Sequence, residues 1–204
     1  LDGTQTVSIG DRTLPLEEAL CGHLELTQLH PSVVSRWAAL AGDEGLSELA
    51  GPRRALLDFA ADRQVVDLLE QHPIDVDGQG LVDVLKPLQT RLYSIASSPL
   101  ISPDEVHLTV ATLDYAAHGR NRLGGASGYL TRRVAPGDEQ RVYVVENTHF
   151  RLPDDGDSPI VMIGAGTGIA PFRAFMQHRE AQGSTGRNWL VFGNRHFQRD
   201  FLYQ

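Results

Sequence analysis

Along the chain the spacing of apolar positions changes period twice. Thr6 to Ile9 alternates before Gly10-Asp11, and Leu24 to Thr27 alternates again, so residues 1–30 are predicted to carry short strands. From Pro31 the period becomes helical. Val33, Val34, Trp37 and Leu40 share one face, and Gly42 and Gly51 punctuate the stretch. Val65, Val66, Leu68 and Leu69 mark a second helix ending before Pro73, and Leu81, Val84, Leu85 and Leu88 mark a third. After Pro87 alternation returns: Arg91 to Ser98, Val106 to Val110 and Arg141 to Glu146 are predicted strands. A short helix is predicted over Ser127 to Val134.

Residues 151–158 are polar and read as a linker. Pro159 to Ile163 is then a continuous apolar run, the mark of a parallel strand covered on both faces. Gly164-Ala165-Gly166-Thr167-Gly168 follows, and Ile169 to Glu180 has helical spacing. Trp189 to Gly193 is a second apolar run. Strand, glycine loop, helix and strand in that order predict a right-handed parallel βαβ unit of the nucleotide-binding type.

Composition narrows the function classes. The chain has 204 residues and a net charge of −8, which argues against a nucleic-acid binder or a protein docked on anionic lipid. No apolar run approaches the ~20 residues that span a bilayer, so no membrane partner is expected. Hydrophobic residues at 41% argue against disorder. A lone cysteine, Cys21, excludes an intrachain disulfide and a cysteine-rich zinc site, and no His-Glu-x-x-His occurs. A reducing, cytoplasmic setting and no metal are therefore expected. Neither a Gly-x-Ser-x-Gly elbow nor a signal peptide is present, and both ends read as cuts through a longer protein.

Three stretches carry chemistry. Three glycines in five residues let backbone amides approach a phosphate at a helix N-terminus, and Thr167 adds a hydroxyl; a tight strand-to-helix turn fits the same residues. On a strand, Arg91 and Tyr93 share one face and Ser94 takes the other. A guanidinium beside a ring and a hydroxyl suits a phosphate and a flat heterocycle, and an exposed Arg on an amphipathic strand fits equally. In Gly124-Gly125-Ala126-Ser127, Ser127 reads as an N-cap, alone or with amides that bind a pyrophosphate.

Together these stretches resemble the ferredoxin-NADP reductase superfamily. Arg91-Leu92-Tyr93-Ser94 matches its flavin signature, Gly124 to Ser127 its flavin pyrophosphate motif, and Gly164 to Arg173 its nicotinamide-nucleotide loop. Phe192 to Arg195 and Asp200 to Tyr203 are similar to the diflavin reductase branch, and within it Arg91 to Ser98, Phe150 to Pro153 and Asn188 to Asn194 are similar to the flavoprotein subunits of NADPH-sulfite reductases. The resemblance implies a mixed fold: an antiparallel β-barrel FAD-binding domain (1–30 and 89–152) with an inserted α-helical connecting domain (31–88). The start of an α/β parallel-sheet NADP-binding domain (159–204) follows. It implies FAD and NADPH as cofactors, with FMN on a separate flavodoxin-like domain. A sulfite reductase hemoprotein is the implied partner, and an oligomer is implied in the full-length protein.

The same resemblance implies residue roles. Arg91 pairs with a flavin phosphate, Tyr93 lies on the isoalloxazine, Ser94 reaches its N5 edge as the catalytic contact, and Leu92 lies between them. Thr109, Val110 and Ala111 run along the flavin, Tyr115 sits on the adenosine side, and Gly124, Gly125, Ala126 and Ser127 cap its pyrophosphate. Thr27 matches a further flavin contact, and Gly164, Gly166, Thr167 and Gly168 cradle NADPH. The first barrel strands and the FMN domain are expected before Leu1, and the residues gripping the 2′-phosphate beyond Gln204. The isolated stretch is therefore expected to be inactive. The rival readings are a cytochrome P450 reductase-like diflavin reductase and an interaction or structural fragment without flavin.

Overall fold

Two short strands begin the chain. β1 (Thr6–Ile9) and β2 (Arg12–Pro15) pair antiparallel with Val7 opposite Leu14, turning through Gly10 at φ +57°, where glycine carries no steric penalty. The computed structural model describes residues 1–42, 44–51 and 53–204. They divide into one unit of Leu1–Arg91 with Leu113–Gly125 and another of Leu92–Thr112 with Ala126–Gln204.

In the first unit, α1 (Leu16–Gly22) follows β2 directly. It falls in a stretch read as strands. Its own signal is Leu16, Ala19 and Leu20 at helical spacing behind Pro15, with Glu17 and Glu18 in the first turn. Five helices then fill the region read as helical: α2 (Pro31–Ala41), α3 (Glu44–Ala50), α4 (Arg53–Ala61), α5 (Val65–Gln71) and α6 (Gly78–Val84). α2 starts with Pro31 in its first turn, is capped by His30 Nδ1 accepting from the Ser32 amide, and stops at left-handed Gly42. It buries Val33, Val34, Trp37 and Ala38, and the Trp37 indole donates to the His72 carbonyl at 2.8 Å. Burying an aromatic with its N–H satisfied is worth about 3–5 kcal/mol against alanine. Val7, Leu16, Leu24, Leu46, Leu68 and Leu81 join the same core.

β3 (Asp114–Ala117) and β4 (Arg120–Leu123) complete this unit as an antiparallel hairpin. His118 and Gly119 both have positive φ, as a two-residue type I′ turn requires. This hairpin lies inside the region read as flavin barrel.

In the second unit, β5 (Ile160–Ala165) and β6 (Asn188–Gly193) pair parallel. A 3₁₀ turn over Gly166–Ile169 leads into α8 (Ala170–Ala181), after α7 (Gly125–Arg132), which begins at the last residue of the first unit. α9 (Phe197–Asp200) follows β6. The expected βαβ unit is present. The residues before it are not a free linker: Arg179 Nη2 donates to the carbonyls of Gly156, Ser158 and Gly186 at 2.9–3.0 Å.

Four strand expectations fail. Among the described residues, Arg91 to Ser98 and Val106 to Val110 form a single isolated bridge, Ile95–Leu108, and no ladder, and Arg141 to Glu146 joins no ladder. Leu24 to Thr27 likewise makes one bridge, Leu24 to Pro87. Alternation sets which face a strand presents, but a strand exists only through a hydrogen-bonded neighbour. No closed barrel occurs among the described residues, whose sheets each have two strands. None of their helices is long and apolar enough to cross a membrane.

Candidate cofactor sites

The glycines of the nucleotide loop have three different jobs. A Cβ at Gly164 would stand 3.1 Å from both the Gly168 carbonyl and the Phe172 ring, so glycine there lets β5 and α8 close together. Gly166 holds φ +53°, a left-handed conformation that turns the chain out of the strand. Cβ atoms at Gly166 and Gly168 would meet nothing within 4 Å. Thr167 between them is exposed. A left-handed turn, open space and the start of a twelve-residue helix fit a dinucleotide pyrophosphate.

In the first unit the candidate flavin residues converge on a carboxylate that sequence reading had missed. Arg91 Nη2 donates to Glu25 Oε2 at 3.0 Å. The other oxygen of Glu25 accepts from the Thr27 amide (2.9 Å), the Thr27 hydroxyl (2.7 Å) and the Gln28 amide (3.2 Å). Glu25 is buried, while the Arg91 side chain stays 42% exposed, so its fork keeps donors in reach of a ligand. Gly125 closes on the same place, since a Cβ there would lie 2.9 Å from Thr27 Oγ1. Arg91, Thr27 and Gly125 are thus brought together; the Thr27 hydroxyl spends its one proton on Glu25, and the remaining donors of the Arg91 fork suit a phosphate.

Tyr115 sits on β3 opposite Arg122 of β4. Arg122 is buried, pairs with buried Asp67 of α5, and donates to Gln64 Oε1 at 3.0 Å. Its Nε finds no acceptor among the described residues. The Gly124 amide donates to the Leu113 carbonyl at 2.8 Å, which closes the base of the hairpin.

The remaining flavin candidates lie in the second unit. Leu92 and Ser94 are exposed and Tyr93 is half-buried, in extended chain without the expected ladder. Thr109 Oγ1 lies 2.5 Å from the Tyr203 hydroxyl, Val110 is half-buried, and Ala111 is exposed. Because α7 starts at Gly125, Ala126 and Ser127 lie within its first turn, and Ser127 is not the N-cap expected from the sequence. The helix begins two residues earlier because Gly125 and Ala126 adopt helical geometry themselves.

The chain matches the family of the FAD binding domain over residues 13–129 and that of the oxidoreductase NAD-binding domain over residues 162–204. It is 50% identical over 202 residues, 99% of its length, to the sulfite reductase [NADPH] flavoprotein alpha-component of Sodalis glossinidius. It is equally identical over its whole length to the protein of that name in Yersinia enterocolitica. The chain spans 34% of the length of each of these relatives.

Proposed function

From a chain that belongs to the FAD binding domain family, within the ferredoxin-NADP reductase superfamily, we infer a part of an NADPH-dependent flavoprotein reductase. The relatives' name supports placing that reductase in NADPH-sulfite reduction, with a hemoprotein as the final acceptor. FMN belongs to a flavodoxin-like domain of the whole protein. Residues 1–30 and 89–152 supply the flavin barrel, residues 31–88 the connecting helices, and residues 159–204 the start of the nucleotide domain. Closure of the barrel and assembly into an oligomer are properties we assign to the full-length protein, and a cytoplasmic location goes with them.

The observation that carries this reading is the loop from Gly164 to Gly168, which joins a parallel strand to a helix through left-handed Gly166 with open space at two glycines. When bound, FAD supplies a ring that accepts hydride from NADPH and releases the electrons singly. The chain's own work is binding and orientation. Arg91, set by Glu25, offers the remaining donors of its guanidinium to the flavin phosphates, Thr27 stands beside it as a further flavin contact, and Gly125 offers an amide at the start of α7. Tyr93 gives a face for the ring, Ser94 a hydroxyl at its reactive edge, and Thr109 to Ala111 a backbone along it. Tyr115 serves the adenosine, and Gly164, Gly166, Thr167 and Gly168 take the NADPH pyrophosphate.

The full-length protein should purify yellow and bleach with NADPH. Arg91→Ala should cut FAD affinity by roughly ten- to a hundredfold, the ~1.5–3 kcal/mol of one charge-assisted bond. Unchanged FAD content after extensive dialysis would remove Arg91 from the site.

A further inference from the structure

Helix α8 starts at the nucleotide loop, and one face of it is hydrogen-bonded to the segment that follows Ser94. Arg173 Nη1 donates to the Ala96 carbonyl at 2.5 Å. One turn on, Gln177 Oε1 accepts from the Ser98 amide at 3.0 Å, and His178 Nδ1 lies 3.1 Å from the Ser98 hydroxyl. Ala96, Ser97 and Ser98 are all buried. The Ala96 amide donates to the His107 carbonyl at 2.8 Å, which joins this segment to the residues leading to Thr109.

The guanidinium of Arg173 has further neighbours. Nη1 lies 3.3 Å from His107 Nδ1, whose Nε2 lies 3.0 Å from Glu105. With Nδ1 accepting from Arg173, Nε2 is the nitrogen that donates to Glu105, so the two partners fix the orientation of the ring. On another side the guanidinium carbon lies 4.9 Å from the centre of the Tyr203 ring. The Tyr203 hydroxyl reaches Thr109, and Tyr203 holds φ +60°, a conformation uncommon for a residue with a Cβ. One side chain on the nucleotide helix therefore touches both extended segments assigned to the flavin: the first at Ala96, two residues past Ser94, and the second through Tyr203 at Thr109.

We propose that Arg173, seconded by Gln177, is a positioning residue that fixes the separation between the nucleotide loop and the flavin-edge segment around Ser94, and so the distance of hydride transfer. It touches neither cofactor's reacting atoms. It acts through a rigid helix whose N-terminus is the loop. A displacement of about 1 Å at a reacting pair can cost on the order of a hundredfold in rate, and Arg173 is placed to prevent one. Its planar fork suits a carbonyl, an imidazole and a ring face together, which a lysine ammonium does not.

The proposal rests on the reading of these segments as flavin and NADPH sites, and the test separates the two. Arg173→Met, Arg173→Lys and Gln177→Ala are made in the full-length flavoprotein. FAD content, NADP⁺ affinity by calorimetry, amide exchange at Ser98 and flavin reduction by saturating NADPH are measured for each. Arg173→Met should keep FAD and NADP⁺ affinity while reduction slows about tenfold or more, with Arg173→Lys recovering part of the rate. The Ser98 amide should exchange faster in Arg173→Met and Gln177→Ala. Reduction at the native rate in Arg173→Met, or a loss matched by lost FAD or NADP⁺ affinity, overturns the proposal. If Arg173→Met does not fold, Gln177→Ala decides: faster Ser98 exchange with slower reduction supports positioning, and faster exchange at the native rate refutes it. Native protein that binds FAD but is not reduced by NADPH would instead overturn the functional reading itself.

Discussion

Gly166 shows how much one backbone angle can decide. Its φ of +53° costs a residue with a Cβ roughly 1–2 kcal/mol, and a β-branched side chain suits it worst. Gly166→Val in the full-length protein should therefore distort the loop, slow reduction by limiting NADPH in stopped flow, and leave FAD bound; equal rates would count against the loop as the NADPH site. This glycine was legible in the sequence because turn chemistry is local, spelled out within five residues. Glu25 and Arg173 were not legible. Glu25 gains its meaning from Arg91, 66 residues away, and Arg173 from Ala96, 77 residues away. Nothing in Leu24-Glu25-Leu26 marks the middle residue as a buried brace.

Among the elements, α2 and α5 make different demands on charge. The α2 cap uses His30 Nδ1 as an acceptor, and partial burial, followed by the positive charges of Lys86 and Arg36, holds this histidine below its ordinary value of 6.5. A depressed histidine favours the neutral form in the folded state. Its contribution is complete above the ordinary value and is lost as pH falls through the lower folded one. Between about pH 7 and pH 5, the native chain should lose more thermal stability than His30→Asn, whose side chain caps without titrating. Identical pH profiles would show that the ring does not govern the cap.

On α5, Asp67 faces Arg122 of the hairpin with both groups buried. Asp67→Ala strands the guanidinium and should cost about 3–5 kcal/mol in denaturant unfolding, whereas replacing both partners with apolar residues of similar volume should cost far less. A single-variant loss no larger than the double-variant loss would show that the pair is not coupled. Helices were readable because each satisfies its own backbone, so the period of Val33, Val34 and Trp37 suffices. The extended segments at Arg91 to Ser98 and Arg141 to Glu146 were over-read because a strand needs a partner that its own residues do not specify.

Across the whole molecule, burial is unequal. The principal apolar core lies in the first unit, from Val7 to Leu85. In the second unit, Met162, Ile169 and Ala170 are buried, while Val161, Ile163 and Trp189 are 62%, 72% and 68% exposed. The 204 residues on their own should bind an apolar dye and lose amide protection first in the second unit. Uniform protection without dye binding would contradict that order. The partition was partly legible: continuous apolar strands announce a sheet meant to be covered, but the sequence pattern does not say by what. Within this less buried unit, one side chain works against the looseness. Residues 151–158 have the composition of a tether, a segment whose ends drift independently. Because Arg179 binds Gly156, Ser158 and Gly186 at once, the segment is a splint instead. The approach to β5 and the turn after α8 then shift together as one piece. Upstream of it, Val142 to Val145 are exposed and lie outside any ladder.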